Sequence, residues 1–305
     1  MAIELIQYKR VTWTNIVNTT WEDVEYLRQE YPHFHPLDLE DLMSTIERPK
    51  LDEYDDYLFV VMQFPIWDPV RRISRPSEVD IFVGSGYLIT AHDGKLKALE
   101  HFFESCKNDP AVREQYMSRG ASKIFYGVID HLVDYLFPML YKIDANIRSL
   151  EEDIFIDKER RIVEELAIIR RDIISLRRIV QPQVAILQSL EQVERAFIRD
   201  ELDVYFGDIL DHLNKATDLI MYHGEVVQGL AETANTLANL YTNDIMRILT
   251  VISVIMMPLT LVSGIYGMNV MLPLQDSPIA FGLIMMTMLT MALGMLFIFY
   301  RRGWL

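Results

Sequence analysis

Two uncharged apolar runs near the C-terminal end constrain this chain more than any other feature. Ile248 to Tyr266 and Ile279 to Tyr300 contain no Asp, Glu, Lys or Arg. A helix rising roughly 1.5 Å per residue needs about twenty residues to cross a bilayer core. Each run is therefore predicted to be a transmembrane helix, over 248–266 and 279–300. The short linker 267–278 between them forces a hairpin, with both outer ends on one side of the membrane. No Lys or Arg lies between Arg247 and Arg301, whereas both flanks are basic. The positive-inside rule then puts the linker outside and both termini in the cytoplasm, as in a multi-pass protein of the cell (inner) membrane. Asp276 is the linker's one charge, and a lone acid at an outer mouth attracts cations.

Charge bounds what the preceding segment can do. Before the first apolar run there are 43 acidic and 27 basic side chains, a net of -16. A cytoplasmic domain this acidic repels nucleic acid and favours cations. The single cysteine, Cys106, excludes an internal disulfide and a thiolate-rich zinc site. The start, Met1-Ala2-Ile3-Glu4-Leu5, has neither a basic nor an apolar stretch, so no signal peptide is expected. No Gly-x-x-x-x-Gly-Lys-Ser/Thr run occurs, which gives no case for a nucleotide, and no Ser/His/Asp or paired-carboxylate arrangement points to an enzyme.

The pattern over 1–120 is that of a cytoplasmic α/β domain with a mixed sheet. Ile3–Tyr8, Tyr57–Phe64 and Val79–Val83 are short, rich in Val, Ile, Phe and Tyr, and bounded by turn residues. Tyr87–Ala91 follows Gly84-Ser85-Gly86 as a hairpin return. Thr20 and Asp23 form a capping box for a helix from Trp21 towards Tyr31, and a second helix is expected over Lys95–Cys106. Over 121–204 the pattern becomes long antiparallel helices. Leu136, Leu140, Ile143, Ile147, Leu150 and Ile154 repeat at three and four, as do Ile162, Leu166, Ile169, Ile173 and Leu176. Asp157-Lys158 is the expected turn between them, and Pro182 is expected to kink or end the second.

A third pattern begins near Tyr205. Ile209, Leu213, Ala216, Ile220, His223, Val227, Leu230, Ala234, Leu237 and Tyr241 alternate spacings of four and three, a seam that usually means self-association. No Pro lies between Pro182 and Pro258, so a stalk helix over 205–247 is predicted to continue into the first span. The fold class is thus an α+β membrane protein, in which a long stalk enters the first of two C-terminal transmembrane helices. From the end of the stalk into that span, Asn243, Met246, Thr250, Ser253, Met257, Thr260 and Gly264 share one stripe. Small and hydroxyl residues in such a stripe serve either close helix packing in lipid or, in copies around an axis, the lining of a pore.

Three segments stand out together: Tyr266-Gly267-Met268-Asn269 at the outer end of the first span, Asn243 to Thr250 followed by Met256-Met257-Pro258-Leu259-Thr260, and the basic end Arg301-Arg302-Gly303-Trp304-Leu305. In this arrangement they resemble the CorA family of magnesium transporters. The resemblance implies a homopentameric channel in the bilayer, passing divalent cations inward down the membrane potential, with Gly267, Met268 and Asn269 (the GMN motif) as selectivity filter. It further implies that Asn243, Met246, Leu249, Met257 and Thr260 line or gate the path. Neutral oxygens of Asn269 and Gly267 would hydrogen-bond the tightly held water shell of Mg2+ without stripping it.

In that family, magnesium held between cytoplasmic domains of neighbouring subunits keeps the channel closed, so Mg2+ is both cargo and regulator. Asp208, in Tyr205-Phe206-Gly207-Asp208, resembles the sensing acid at the start of the stalk, and Asp68, after Trp67, its partner. The segment after the motif, Val270-Met271-Leu272-Pro273-Leu274-Gln275-Asp276, departs from the family pattern. Leu274 occupies the place of a glutamate, and Asp276 follows two residues later. The zinc-transporting ZntB branch is therefore the alternative, with Co2+ and Ni2+ as further candidate ions. A membrane-anchored signalling or scaffold protein is the reading from outside transport. His33-Phe34-His35 and the acidic runs Glu151-Glu152-Asp153 and Glu164-Glu165 are weaker cation-binding candidates.

Overall fold

The computed structural model describes residues 3–44, 47–156, 160–192, 203–268, 270 and 279–304. It divides into two compact units, 1–231 and 232–305. In the first unit the strands are β1 (Ile3–Tyr8), β2 (Val11–Val17), β3 (Lys50–Glu53), β4 (Tyr57–Asp68), β5 (Ile73–Gly84) and β6 (Tyr87–His92). They form one sheet in the order β1-β2-β6-β5-β4-β3. Every neighbouring pair is antiparallel except β2 and β6, so the sheet is mixed, as the sequence pattern predicts. The two strands absent from that reading have plain causes. Val11–Val17 contains Thr12, Thr14 and Asn15 among its apolar residues, and Lys50–Glu53 is four mostly charged residues at the sheet edge.

One face of the sheet is covered by α1 (Trp21–Glu30) and α2 (Pro36–Asp41). The capping box is present: the Thr20 backbone N–H donates to Asp23 Oδ2 at 3.0 Å, and the Asp23 N–H donates to Thr20 Oγ1 at 3.4 Å. Val24, Leu27, Phe34, Leu39 and Leu42 pack on Ile16, Phe59, Val61, Phe82 and Ile89. His33 and His35 serve this packing. His33 Nε2 lies 3.0 Å from the Tyr87 hydroxyl, and His35 Nδ1 accepts from the Leu37 N–H as the cap of α2. The buried Asp38 carboxylate accepts from the Tyr57 hydroxyl at 2.7 Å and the Tyr54 hydroxyl at 3.2 Å. Burial pushes its pKa up and the two hydroxyls pull it back.

Helices α3 (Lys97–Asn108), α4 (Pro110–Met117) and α5 (Ala121–Asp134) follow, and Trp13 packs against Phe102 and Phe103 with ring centroids 5.3 and 5.0 Å away. Cys106 is fully buried in α3, and burial raises its thiol pKa to about 12. Next are α6 (Leu136–Ile156) and α7 (Arg160–Glu191), whose periodic apolar positions are buried as expected except the half-buried Leu150. The predicted turn at Asp157-Lys158 lies outside the described residues. Pro182 does not end α7, which runs nine residues further. The missing N–H frees the carbonyl of Arg178, and both residues are exposed, so solvent rather than apolar packing meets the unpaired oxygen.

Helix α8 spans Asp203–Tyr266 without interruption, through Pro258. Its seam from Ile209 to Leu230 is buried. That burial comes from within the chain, not from a second copy: Phe206 packs near Phe125, His212 near Phe137, and His223 Nε2 stands 3.4 Å from Asp144 Oδ1. The seam's one polar member thus has a carboxylate partner on α6. The second unit ends in α9 (Ala280–Arg301), which stops at a glycine. Gly303 takes φ +68, and the Trp304 N–H bonds the Phe299 carbonyl at 3.0 Å while the two rings pack 5.7 Å apart. This left-handed stop accounts physically for Arg302-Gly303-Trp304.

Tyr57→Phe removes one donor from the buried Asp38 and the acceptor of the His35 N–H, bonded to it at 2.8 Å. The expected loss is about 2 kcal/mol. Thermal unfolding of the solubilised full chain, with Tyr54→Phe as the milder comparison, measures it.

Candidate functional site

The membrane-directed part of α8 is built from residues that satisfy their polar atoms within the helix. Thr250 Oγ1 donates to the Met246 carbonyl at 2.7 Å, Ser253 Oγ to Leu249 at 2.8 Å, and Thr260 Oγ1 to Met256 at 2.8 Å. Each hydroxyl proton is spent on the carbonyl one turn back. What each side chain presents outward is oxygen lone pairs, which can accept from water or face a cation but cannot donate. Asn243, Met246, Leu249, Thr250, Ser253, Met257, Thr260 and Gly264 are all exposed in the single chain, Met257 by 73%.

The end of α8 tightens at the glycine. The Gly267 N–H bonds the Ser263 carbonyl at 3.0 Å, and the Met268 N–H bonds Ile265 at 3.2 Å. A side chain at 267 would put a Cβ 3.1 Å from the Ser263 oxygen, so the bare backbone fits where a larger residue crowds. Asn269 and Asp276 lie outside the described residues. In the most apolar stretch of α8 only 6% of residues are buried within the chain, and in that of α9 none. Helices so apolar and so bare need lipid or other copies around them.

The predicted sensing acids occupy different settings. Asp68 ends β4, where its Oδ1 accepts from the Val70 and Arg71 N–H groups at 3.0 and 3.1 Å, and its Oδ2 lies 3.6 Å from Arg75. The Arg71 backbone bond leads in holding its pKa below the usual value. Asp208 is exposed on the second turn of α8. The structure does not pair it with Asp68 within one chain. It does gather Asp130 and Asp134 of α5 with His212 of α8, whose potential ligand atoms lie within 4.8 Å of one another. Burial, then Asp134, raises the Asp130 pKa, and Asp208 contributes in the same direction. This group was missed in the sequence, although its signal was there: Asp130 with Asp134, and Asp208 with His212, are each four apart, one face of one helix. Among the other acids, Glu165 forms a two-pronged pair with Arg72 at 3.0 and 2.5 Å.

Comparison with known proteins places this architecture. The family described as CorA-like Mg2+ transporter protein matches residues 8–301. The chain belongs to that family. A Bacillus subtilis protein named for metal ion transport, YfjQ, is 30% identical over 306 residues, covering 100% of this chain and 93% of its own. The cobalt/magnesium transport protein CorA of Thermotoga maritima is 29% identical over 258 residues, or 85% of this chain and 73% of its own. Among solved structures, the complete CorA magnesium transporter of Methanocaldococcus jannaschii superposes with a TM-score of 0.85 at 21% identity, covering 98% of this chain and 94% of that one. This is a likeness of fold. CorA-family proteins are membrane transporters of divalent cations and not enzymes, and the two apolar helices α8 and α9 are the membrane-directed part of this one.

Because the hydroxyls of Thr250, Ser253 and Thr260 bond within their own helix, Thr250→Val, Ser253→Ala and Thr260→Val together should change stability by less than about 1 kcal/mol. Thermal unfolding of the solubilised protein checks this. A drop of many degrees would mean that these groups hold helices together.

Proposed function

We propose that this CorA-family member is a homopentameric channel for passive Mg2+ influx, with cytoplasmic termini, an outward linker and a path lined by the α8 stripe. The observation that carries the reading is the set of hydroxyls whose protons point back into the helix. Rings of such oxygens offer acceptors to a hydrated cation and no donor to repel it. They are neutral, so they bind weakly enough for the ion to leave. The filter is assigned to Gly267, Met268 and Asn269, and the outer-mouth acid to Asp276. Met246, Leu249 and Met257 narrow the path. The driving force is the inside-negative potential, about 4.6 kcal/mol for a divalent ion per 100 mV.

Regulation follows from the acids. A regulatory Mg2+ at Asp208, drawn by the neighbouring Asp130, Asp134 and His212 and completed by Asp68 of an adjacent subunit, neutralises carboxylates that otherwise repel. Low internal Mg2+ then loosens the interface and opens the path. Zinc is the alternative cargo, because Leu274 stands where the family pattern has a glutamate.

The decisive experiment is ion uptake into proteoliposomes under an inside-negative potential, offering Mg2+, Zn2+ and Co2+ separately. Mg2+ entry that Asn269→Ala lowers at least about tenfold, with the assembly intact, is the expected result; a tenfold change in rate corresponds to roughly 1.4 kcal/mol. Entry of Zn2+ alone assigns the ZntB-like cargo, and no entry of any ion leaves the scaffold reading. In the same assay Asp208→Ala should flow at internal Mg2+ levels that close the parent protein.

A further inference from the structure

Asp80 lies in the middle of the sheet, where an acid is least expected. On β5 it stands opposite Val61 of β4 and Ala91 of β6, and Ala91 stands opposite Ile16 of β2. Residues directly opposite one another share a face. Val61, Ala91 and Ile16 all belong to the apolar core, so Asp80 occupies a core row. It is only 6% exposed, and its Oδ1 has no hydrogen-bond partner among the described residues. An unpartnered buried carboxylate is costly, and such groups are retained where they have a task.

Asp80 borders a cavity of about 600 Å3 that Glu78, Ser44, Asp68 and Asp93 also line. The basic residues at its wall are already engaged. Lys95 pairs with Asp93 at 2.7 Å, and Arg75 with Asp68 at 3.6 Å. The nearby Lys50 bridges Asp41 at 2.6 Å and Asp52 at 2.8 Å. Among the described residues neither Asp80 nor Glu78 forms an ion pair, Lys50 acting on Asp80 only through space, and the buried Ser44 Oγ also lacks a hydrogen-bond partner. Glu78 accepts from the Glu47 N–H at 2.5 Å, which fixes one of its oxygens.

We infer that this cavity is a divalent-cation site within the single subunit, with Asp80 and Glu78 as its anionic ligands and Ser44 as a neutral one. Two carboxylates and a hydroxyl are the hard oxygen donors that an ion of the Mg2+ class takes, with retained waters completing its shell. A compact double charge neutralises both acids at once. Burial supports the same picture: it raises the Glu78 pKa to about 6 and that of Asp80 well above its ordinary value, more than the Glu47 N–H and Gln63 beside Glu78, or Lys50 near Asp80, offset. Its ligands differ from the acids assigned to the subunit interface: Asp68 lines the same cavity but is paired with Arg75, and the site does not depend on which ion crosses the membrane.

The test uses the full chain in detergent with Mn2+ as the probe, bound ion being counted by electron paramagnetic resonance. Asp208→Ala serves as the background, to remove the proposed interface site. In that background one class of bound Mn2+ is expected to remain, and Asp80→Asn and Glu78→Gln should each weaken it by more than about tenfold, the low end of what even an outer-shell change costs a metal site. Asp80→Asn should also raise the unfolding temperature in chelator while abolishing its rise on adding Mn2+. Binding unchanged by both substitutions, or displaced by excess K+, would overturn the inference. A failure of Mg2+ uptake in proteoliposomes would leave these counts untouched, so the two readings fail separately.

Discussion

Inside a bilayer the chain has to satisfy its own polar groups, and that requirement governs the membrane-directed unit. Helix α8 meets it with backbone bonds along its length and by folding the protons of Thr250, Ser253 and Thr260 onto carbonyls of the same helix. The same act sets the polarity of the outward stripe. With each proton spent inside the helix, these hydroxyls present acceptors alone to whatever faces them. Structural economy and the chemistry required by a cation coincide in one hydrogen bond.

The first unit follows a different rule. Its sheet hides most polar atoms by pairing them, as the Asp38 carboxylate does with Tyr54 and Tyr57, and Asp93 with Ser77 and Lys95. Against that background Asp80 stands out, because the surrounding row is apolar and its Oδ1 has no hydrogen-bond partner among the described residues. The acidity of the chain is therefore not one undivided property. Part of it is consumed in pairs with Arg72, Arg75, Lys50 and Lys95, and only a few carboxylates are left for ions.

Much of the fold could be read from residue order, for reasons that particular elements make clear. The long helices were legible because their apolar positions recur at three and four over many turns. Four of six strands were legible because Val, Ile, Phe and Tyr cluster between turn residues. β3 escaped because an edge strand needs no apolar face, and the persistence of α7 past Pro182 could not be foreseen without knowing that Arg178 faces solvent. At the site, the stripe on α8 was visible as a spacing, but the direction of its hydroxyl protons was not. Asp130 and His212 are 82 residues apart in sequence, and only the packing of α5 beside α8 brings them within reach.

The solitary cysteine has a practical consequence. Cys106 is buried on the inner side of α3, with its thiol held in the protonated, unreactive form at neutral pH. The parent chain is thus already silent towards thiol reagents while folded. Cysteines introduced one at a time along α8 can be labelled in it directly, and the path through the membrane mapped by accessibility without first engineering a cysteine-free background.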